Sequence, residues 1–347
     1  MNFSNKLIGW YQDNKRDLPW RNTVNPYHIW LSEIILQQTR VLQGTPCYLA
    51  FLKAFPTIED LANAPEFKVL KMWQGLGYYS RARNLHFTAK DIVNNFGGEF
   101  PKDYRKMLQF KGIGVYTAAA ITSFAFDMPY AVVDGNVIRV LSRVFGVSIP
   151  SDTSVGKKQF QQLAQELLIE KESAIYNQAI MEFGAMKCKP KSPDCSNCPM
   201  QDFCVAYATN SVAELPVKSM KIKVKDRFLH YFLIEQEDNV FLGKRKSGIW
   251  IGLYEFPFLE FPIKMNQKQV MQSDEWSQRF LNSTCDVKSV SSEFIHILSH
   301  QKIYAQFWQI NATGVKLEEY ELIPRNSLLE FPVSRLTEKY FETIELG

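Results

Sequence analysis

The sequence predicts a two-domain protein in which an all-helical domain is followed by a smaller domain of mixed α and β structure. Three observations lead to this prediction: the chain length, a change in hydrophobic periodicity near residue 210, and a change in charge at the same place. With 347 residues the chain is long enough for two domains of ordinary size. Its 46% hydrophobic and 22% charged residues are typical of folded globular proteins and not of disordered chains.

The periodicity of the apolar residues changes near residue 210. Before this point apolar residues recur at helical spacing, with Pro and Gly between the segments "YHIWLSEIILQQTRVLQ", "PEFKVLKMWQGLG", "YSRARNLHFTAKDIVNNFGG", "YTAAAITSFAF" and "GKKQFQQLAQELL". After it, turn formers separate short aromatic and β-branched runs, which are "RFLHYFLIEQ", "NVFLGKRK", "KSVSSEFIHILSH" and "KIYAQFWQI". We therefore expect domains at residues 1–210 and 225–347, joined by a linker at 211–224.

Charge is distributed unevenly between the two parts. Residues 1–210 carry 23 Lys and Arg against 18 Asp and Glu, whereas residues 211–347 carry 17 against 18. The expected linker and the following strand add a basic stretch, "VKSMKIKVKDR". A modest basic excess on the first part is compatible with a polyanionic partner, but it is equally compatible with an ordinary solvated face.

Targeting segments are not evident in the sequence. The first residues, "MNFSNKLIGWYQDNKRDLPW", mix charges into the apolar stretch and lack a small-residue cleavage pattern, so they do not resemble a signal peptide. No apolar run approaches the roughly 18 residues of a membrane span. We expect a protein without a membrane partner that works in a reducing compartment, where clustered thiols are more often metal ligands than disulfides.

Four of the six cysteines lie within seventeen positions, in "CKPKSPDCSNCPMQDFC". They are Cys188, Cys195, Cys198 and Cys204. A zinc site usually contains two C-x2-C pairs, and only one pair is present here. Four thiolates in a compact, Pro-punctuated loop suit an iron-sulfur cubane as well. On residue types alone, both metals remain open.

A Gly-Ile-Gly turn separates two helical stretches in "MLQFKGIGVYTAAAITSFAF". Gly112 and Gly114 allow close approach of the backbone, and the helix that starts there has unpaired N–H groups able to hold a phosphate. A plain turn between two helices would look the same.

Two carboxylates have surroundings that suit acid–base chemistry. Glu33 lies in the apolar stretch "IWLSEIILQQT", and burial there would raise its pKa and keep a proton available. Asp134, in "YAVVDGNVIRVLSRVFG", stands directly before a helix, whose terminus would favour the ionised form. Sugar hydrolases use such a pair, in which one carboxyl gives a proton to the leaving group and the other stabilises a cationic sugar. A Glu on a polar helix face and a simple helix cap are the alternatives.

Several motifs together resemble, in order, the MutY family of adenine-specific mismatch DNA glycosylases. They are "LPWR", "WLSEIILQQT", "GLGYYSRARNL", "VDGNV" and the cysteine loop, whose C-x6-C-x2-C-x5-C spacing is similar to that of endonuclease III and MutY. The resemblance covers about the first 210 residues with specific motifs. It implies an all-α helix-hairpin-helix DNA glycosylase domain with a 4Fe-4S cluster loop at 188–204, and an enzyme that removes adenine mispaired with 8-oxoguanine or guanine.

The resemblance also implies roles for individual residues. Glu33 would protonate adenine, Asp134 would stabilise the sugar cation, and Tyr116 and Asn136 would support the sugar site. The residues implied in DNA contact are Arg21 at the flipped adenine, Gln38 and Thr39 in the duplex, Tyr78 as a wedge, and the hairpin glycines. For Tyr78 and its neighbour Tyr79, core packing is an alternative. Because the related lyases hold a nucleophilic Lys at the position of Tyr116, we expect a monofunctional glycosylase.

The second domain resembles the MutT-like (Nudix) domain that follows the catalytic domain in this family. "KRKSGIWIGLYEFP" matches its start, but no Glu-rich magnesium-binding helix follows Gly252, so we expect recognition and not pyrophosphate hydrolysis. "ILSHQKI" is similar to the family loop that reads 8-oxoguanine, with Leu298 in place of Phe and with Ser299 and His300 as the implied contacts. A simple turn between strands is the alternative.

Rival interpretations are a glycosylase for oxidised pyrimidines or thymine mismatches, a non-catalytic DNA-binding module, and a nucleotide pyrophosphatase. We expect a monomer that binds double-stranded DNA containing 8-oxoguanine:adenine or guanine:adenine mispairs. We further expect it in the cytoplasm of a prokaryote, associated with the nucleoid.

Overall fold

A computed structural model of the chain describes residues 2–219, 224–281 and 283–344. Their contacts divide the chain into two compact units, the first formed by Met1–Asn63 and Asn84–Met220 and the second by Ala64–Arg83 and Lys221–Gly347. The all-α part followed by a mixed α and β part is therefore confirmed. Residues 220–223 of the expected linker lie outside the described residues.

The first unit is built from helices. They are α1 (Phe3–Asn14), α2 (Pro26–Leu36), α3 (Val41–Ala54), α4 (Ile58–Asn63), most of α6 (Ser80–Phe96), α7 (Tyr104–Met107), α8 (Val115–Phe126), α9 (Gly135–Phe145), α10 (Ser154–Leu167), α11 (Ser173–Met186) and α12 (Val205–Ala208), with 3-10 turns at Pro19–Arg21, Glu170–Glu172 and Gln201–Phe203. Helices α2 and α8 pack together, and α11 packs against α1, α8 and α9.

Two helices of this unit are apolar around most of their circumference. In α2 the buried residues include Ile29, Trp30 and Ile35, and in α8 most residues from Thr117 to Ser123 are buried. A helix that is apolar on all sides is found in the interior of a protein. The polar residues Ser32 and Glu33 of α2 are consequently buried, and this burial sets the conditions for Glu33.

The second unit contains one mixed sheet. Its strands are β1 (Lys225–Gln236), β2 (Asn239–Lys244), β3 (Tyr254–Glu255), β4 (Phe258–Phe261), β5 (Thr284–Val290), β6 (Phe294–Ile297), β7 (Gln301–Thr313) and β8 (Glu321–Pro324). The central pair β1 and β7 is parallel, with Phe228 opposite Tyr304, and its neighbours β2, β4, β5 and β6 run antiparallel to it. Helices α13 (Gln267–Met271), α14 (Asp274–Arg279) and α15 (Arg335–Phe341) and the 3-10 turn Arg325–Glu330 complete the unit.

The second unit also includes residues 64–83, which are far in sequence from its main part at Lys221–Gly347. This segment contains α5 (Glu66–Met72), and Lys71 Nζ donates to the carbonyl of Leu329 at 2.5 Å. The buried Tyr79 hydroxyl donates to the carbonyl of Val333 at 3.2 Å. The domain boundaries expected from the sequence, at 210 and 225, assign residues 64–83 to the first domain, whereas the contacts assign them to the second unit. Among the described residues, no helix combines the length and apolarity required to cross a bilayer.

Candidate active site

Glu33 lies on α2 and is buried, with 7% of its surface exposed. The Tyr116 hydroxyl, from α8, donates a hydrogen bond to Glu33 Oε2 at 2.5 Å. Burial raises the pKa of Glu33 to about 7, the Tyr116 hydrogen bond lowers it, the charge of Asp134 raises it and that of Arg21 lowers it. Glu33 is thus a buried carboxyl with a raised pKa, and the other predicted site residues that act on this pKa are Tyr116, Asp134 and Arg21.

Asp134 is the N-cap of α9. Its Oδ1 accepts from the backbone N–H groups of Asn136 and Val137, both at 2.8 Å, and its Oδ2 accepts from Asn136 Nδ2 at 2.7 Å. Burial raises the pKa of Asp134, whereas these three hydrogen bonds and the charge of Arg139 lower it. The cap geometry is as expected, but the net direction of the pKa differs from the expectation because burial outweighs the helix terminus.

Arg139 links the start of α9 to the cysteine loop. Its Nη2 donates to Asn136 Oδ1 at 2.8 Å and to the carbonyl of Gly184 at 2.7 Å, and its Nε donates to the carbonyl of Cys188 at 2.8 Å. A Cβ on Gly184 would lie 2.7 Å from the Cβ of Asn136, so glycine allows α11 to approach the start of α9 this closely. Arg139 therefore holds both Asn136, which is hydrogen-bonded to Asp134, and the backbone of Cys188 in the cysteine loop.

The four clustered cysteines line one cavity, whose wall also includes Arg143, Phe183 and Met200. All four are free thiols, and burial raises the pKa of Cys198 to about 11. Arg143 Nη1 approaches Cys188 Sγ at 3.5 Å and donates to the carbonyl of Lys189 at 2.7 Å. Within residues 2–219, 224–281 and 283–344, no three His, Cys, Asp or Glu side chains form a group that could hold a single metal ion. The shared cavity and four sulfur donors fit a four-cysteine cluster, which when bound would cross-link this loop.

Arg21 is the last residue of the 3-10 turn before α2, and its carboxylate partner is Glu182. Its Nη2 donates to Glu182 Oε2 at 2.7 Å, its Nη1 donates to the carbonyl of Arg16 at 3.1 Å, and its guanidinium lies 5.6 Å from the ring centre of Tyr11. Glu182, on α11, was not among the predicted site residues. Its position in the apolar stretch "IYNQAIMEFGAM" is the same kind of signal that marked Glu33.

The predicted hairpin lies between α7 and α8. Gly112 has φ 83°, and a Cβ there would lie 2.8 Å from Asn84 Cβ, so both its conformation and its surroundings favour glycine. Gly114 is the N-cap of α8, and because glycine has no side chain, no side-chain hydrogen bond caps this helix. The first N–H groups of α8 are consequently available for an anion.

Two of the residues predicted to probe DNA have strained backbones. Gln38, exposed just after α2, has φ 58°, and Tyr78 has φ 46°, both in the left-handed region that non-glycine residues rarely occupy. Thr39 follows Gln38 and is half-buried. Tyr78 is 47% exposed, so core packing, the alternative considered above, does not apply to it, although it does apply to the buried Tyr79.

Within the second unit, Tyr78 meets the predicted 8-oxoguanine loop. The hydroxyls of Tyr78 and Ser299 are 2.5 Å apart, at hydrogen-bonding distance. Ser299 and His300 are exposed in the turn between β6 and β7. The structure therefore groups Glu33, Tyr116, Asp134 and Arg21 in the first unit, and Tyr78, Ser299 and His300 in the second.

Comparisons with known proteins agree with this description part by part. Residues 31–168 match the HhH-GPD superfamily of base excision DNA repair proteins, residues 188–204 match the iron-sulfur binding domain of endonuclease III, and residues 230–343 match the NUDIX domain. The chain is similar to a thermostable thymine-DNA glycosylase of known structure, with 31% identity and a TM-score of 0.56. The match covers 60% of this chain and 95% of the glycosylase. An endonuclease III structure at 22% identity and a TM-score of 0.52 has the same fold over 60% of this chain and 94% of its own.

Fold and site together define a base excision DNA glycosylase with an iron-sulfur loop and a NUDIX-type second domain. An adenine DNA glycosylase of Buchnera aphidicola is 37% identical over 94% of this chain and 89% of its own, and that of Mus musculus is 32% identical over 89% and 70%. The chain belongs to the adenine DNA glycosylase (MutY) family. The expected family, enzyme class, DNA substrate and 4Fe-4S cofactor are thereby confirmed.

Proposed function

We propose that this enzyme removes adenine paired with 8-oxoguanine or guanine from duplex DNA by acid-assisted hydrolysis of the N-glycosidic bond. The observation that carries the proposal is the buried Glu33, with a pKa raised to about 7, which accepts the hydrogen bond of Tyr116 and whose pKa is raised in part by the charge of Asp134. The site chemistry needs a protonated acid and a separate anion, and these carboxyls have different surroundings.

Glu33 gives its proton to the adenine ring in the first step. The electron pair of the glycosidic bond then leaves with a neutral base, and positive charge develops on the sugar. The ionised Glu33 next accepts a proton from the water that attacks the sugar carbon, which restores the acid. Tyr116 keeps its own proton throughout, because burial and the neighbouring Glu33 raise its pKa well above the ordinary value.

Asp134 stabilises the sugar cation. Its carboxylate is fixed by two backbone N–H groups and by Asn136, so it needs no rearrangement when the positive charge appears. Because burial raises its pKa, the excision rate is expected to fall at acidic pH as this carboxylate becomes protonated. The order of events requires adenine to leave the base stack, since a stacked base cannot reach a buried acid.

The enzyme is expected to be monofunctional. A lyase needs an amine that forms a Schiff base with the sugar, and the position beside Glu33 holds the phenol of Tyr116. The product is an abasic strand without a nick.

DNA contacts come from both units in this proposal. The hairpin glycines Gly112 and Gly114 and the N–H groups of α8 bind phosphate, while Gln38 and Thr39 enter the duplex. Tyr78 acts as a wedge, and Ser299 and His300 read 8-oxoguanine; the Tyr78–Ser299 hydrogen bond supports a joint role for these loops. We further propose that the protein works as a monomer on chromosomal DNA in the cytoplasm of a prokaryote.

The test is single-turnover incubation with duplexes that carry adenine opposite 8-oxoguanine, guanine or thymine. The proposal predicts cleavage of the adenine strand only after alkali, fastest opposite 8-oxoguanine. Nicking without alkali would refute the monofunctional assignment. Excision of thymine or an oxidised pyrimidine in place of adenine would refute the substrate assignment.

A further inference from the structure

The first unit contains a three-residue ion cluster formed by Arg16, Arg21 and the buried Glu182. Glu182 Oε1 accepts from the backbone N–H of Arg16 at 3.0 Å and from its Nε at 2.7 Å. Glu182 Oε2 accepts from Arg16 Nη2 at 2.6 Å and from Arg21 Nη2 at 2.7 Å. Both oxygens of one carboxylate are thus fully used by two arginines.

Burial makes this cluster different from an ordinary surface salt bridge. The exposed fraction of the side chain is 1% for Glu182, 13% for Arg21 and 33% for Arg16. Hydrogen bonds from the two arginines hold the pKa of Glu182 at about 2 although burial raises it. The two arginines therefore favour the ionised form of Glu182. With two cations and one anion, the cluster carries a net positive charge.

Arg21 connects the cluster to the proposed acid, because the 3-10 turn Pro19–Arg21 packs against α2, the helix that carries Glu33. Arg21 lowers the pKa of Glu33 through its charge, in opposition to burial and to Asp134. The other group facing Glu33 is Tyr116, which donates to it. The groups facing Glu182 are Arg16, Arg21 and, more distantly, Tyr11, whose hydroxyl donates to Gln178 at 2.6 Å. Among these groups, Glu182 is the carboxylate that forms hydrogen bonds with both arginines.

We propose that Glu182 is a positioning residue for the reaction: its hydrogen bond fixes Arg21 in the turn that packs against α2, the helix of Glu33, and its charge balances part of the charge of the two arginines. This inference rests on the proposed function, in which Glu33 acts as the proton donor. It assigns Glu182 no contact with the DNA. The expected consequence is that the pH range of the enzyme depends on the net charge of the cluster.

Three variants change that charge in a graded way. E182Q keeps the shape of Glu182 but raises the net charge of the cluster by one, and R16M lowers it by one. The double variant E182Q/R16M leaves Arg21 as the one charge of the three and returns the net charge to that of the wild type. E182D retains the charge on a shorter side chain, so it changes the position of Arg21 without changing the net charge.

The measurement is the single-turnover rate of adenine excision from about pH 5 to about pH 9 for each variant. We expect the rate decline at high pH, which reports loss of the Glu33 proton, to move to lower pH in E182Q by about half a pH unit or more. R16M should move it to higher pH. In the double variant and in E182D the decline should occur at the same pH as in the wild type, even where the maximal rates are lower. Binding of the mispaired duplex and the absorbance of the iron-sulfur cluster verify the fold of each variant.

Several outcomes would overturn the inference. If the rate of every variant declined at the same pH and only the maximal rates differed, Glu182 would be a structural residue. Shifts of the decline in the same direction for E182Q and R16M would exclude the charge argument. If E182Q fails to fold, R16M against wild type still decides, because an unmoved decline contradicts the inference. Failure of the proposed function is distinguishable, because E33Q would then retain excision activity whatever the cluster variants do.

Discussion

Replacing Asp134 with Asn separates two roles that one side chain has in this structure. As an N-cap, residue 134 accepts hydrogen bonds from the backbone N–H groups of Asn136 and Val137. As the proposed anion, it supplies a negative charge that acts on Glu33. An Asn side chain keeps an oxygen for the two backbone donors, because Asn and Asp are comparable N-caps. It cannot supply the negative charge.

The stability cost of this substitution is expected to be small. The lost interactions are the 2.7 Å hydrogen bond from Asn136 Nδ2 to the carboxylate and the attraction between that charge and the N-terminus of α9. A hydrogen bond to a charged group contributes about 1.5–3 kcal/mol, and a helix terminus about 0.3–1 kcal/mol. Burial of the ionised carboxyl opposes both, since it raises the pKa of Asp134. We expect a net loss of about 1–2 kcal/mol, or a Tm lower by roughly 2–8 °C for a unit of this size.

The loss of activity is expected to be much larger. Removing a preorganised group that stabilises charge in the transition state commonly costs about 100- to 1,000-fold in rate. This corresponds to roughly 3–4 kcal/mol in the barrier. The assay is single-turnover excision of adenine opposite 8-oxoguanine, quenched with alkali, beside thermal unfolding of the same preparation.

A second cap supplies the matched control. Thr153 caps α10 and accepts a hydrogen bond from the backbone N–H of Gly156 at 3.0 Å. T153A should lower the stability by about 1 kcal/mol and leave the excision rate unchanged. If D134N behaved like T153A, with a stability loss but a rate within a few-fold of the wild type, Asp134 would be a helix cap and the proposed anion would be wrong.

Three further predictions follow from the same geometry. Y116F removes the hydrogen bond to Glu33, so the pKa of Glu33 should rise above its value of about 7 and the decline of the excision rate at high pH should move to still higher pH; an unchanged profile would contradict this. Y78F removes the hydroxyl that meets Ser299 and should reduce the preference for 8-oxoguanine over guanine, measured as a ratio of rates, with adenine excision opposite guanine little affected; an unchanged ratio would show that this hydrogen bond has no part in recognition. C198S removes one of the four clustered thiols and should abolish the yellow-brown colour and lower the stability of the 188–204 loop, assayed by iron content and limited proteolysis; full iron content would exclude Cys198 as a ligand.

Local patterns predicted much of the first unit. The burial of Glu33 follows from the apolar residues around it, since α2 is apolar on nearly every side. The N-cap at Asp134 follows from an Asp between an apolar stretch and a helical one. Cysteine spacing located the cluster loop because its ligands are close in sequence. Each of these features depends on neighbours within a few residues.

The features that were missed depend on contacts between distant residues. Glu182 meets Arg16 across 166 positions, and no local pattern pairs a buried Glu with one arginine in preference to another. The direction of the pKa of Asp134 depends on its burial in the folded protein and not on its helix alone. Residues 64–83 join the second unit through Lys71, Phe67 and Tyr79, side chains that would equally suit packing within a helical domain.

The central claim is that Glu33 delivers a proton to the departing adenine, and the most direct test is the pH dependence of single-turnover excision by the wild type and by E33Q. The wild-type rate should fall as the pH rises through about 7, where Glu33 loses its proton. E33Q should be slower by about 100- to 10,000-fold and should lack this decline, while it still binds the mispaired duplex. A similar rate in E33Q, or the same decline at high pH, would contradict the claim.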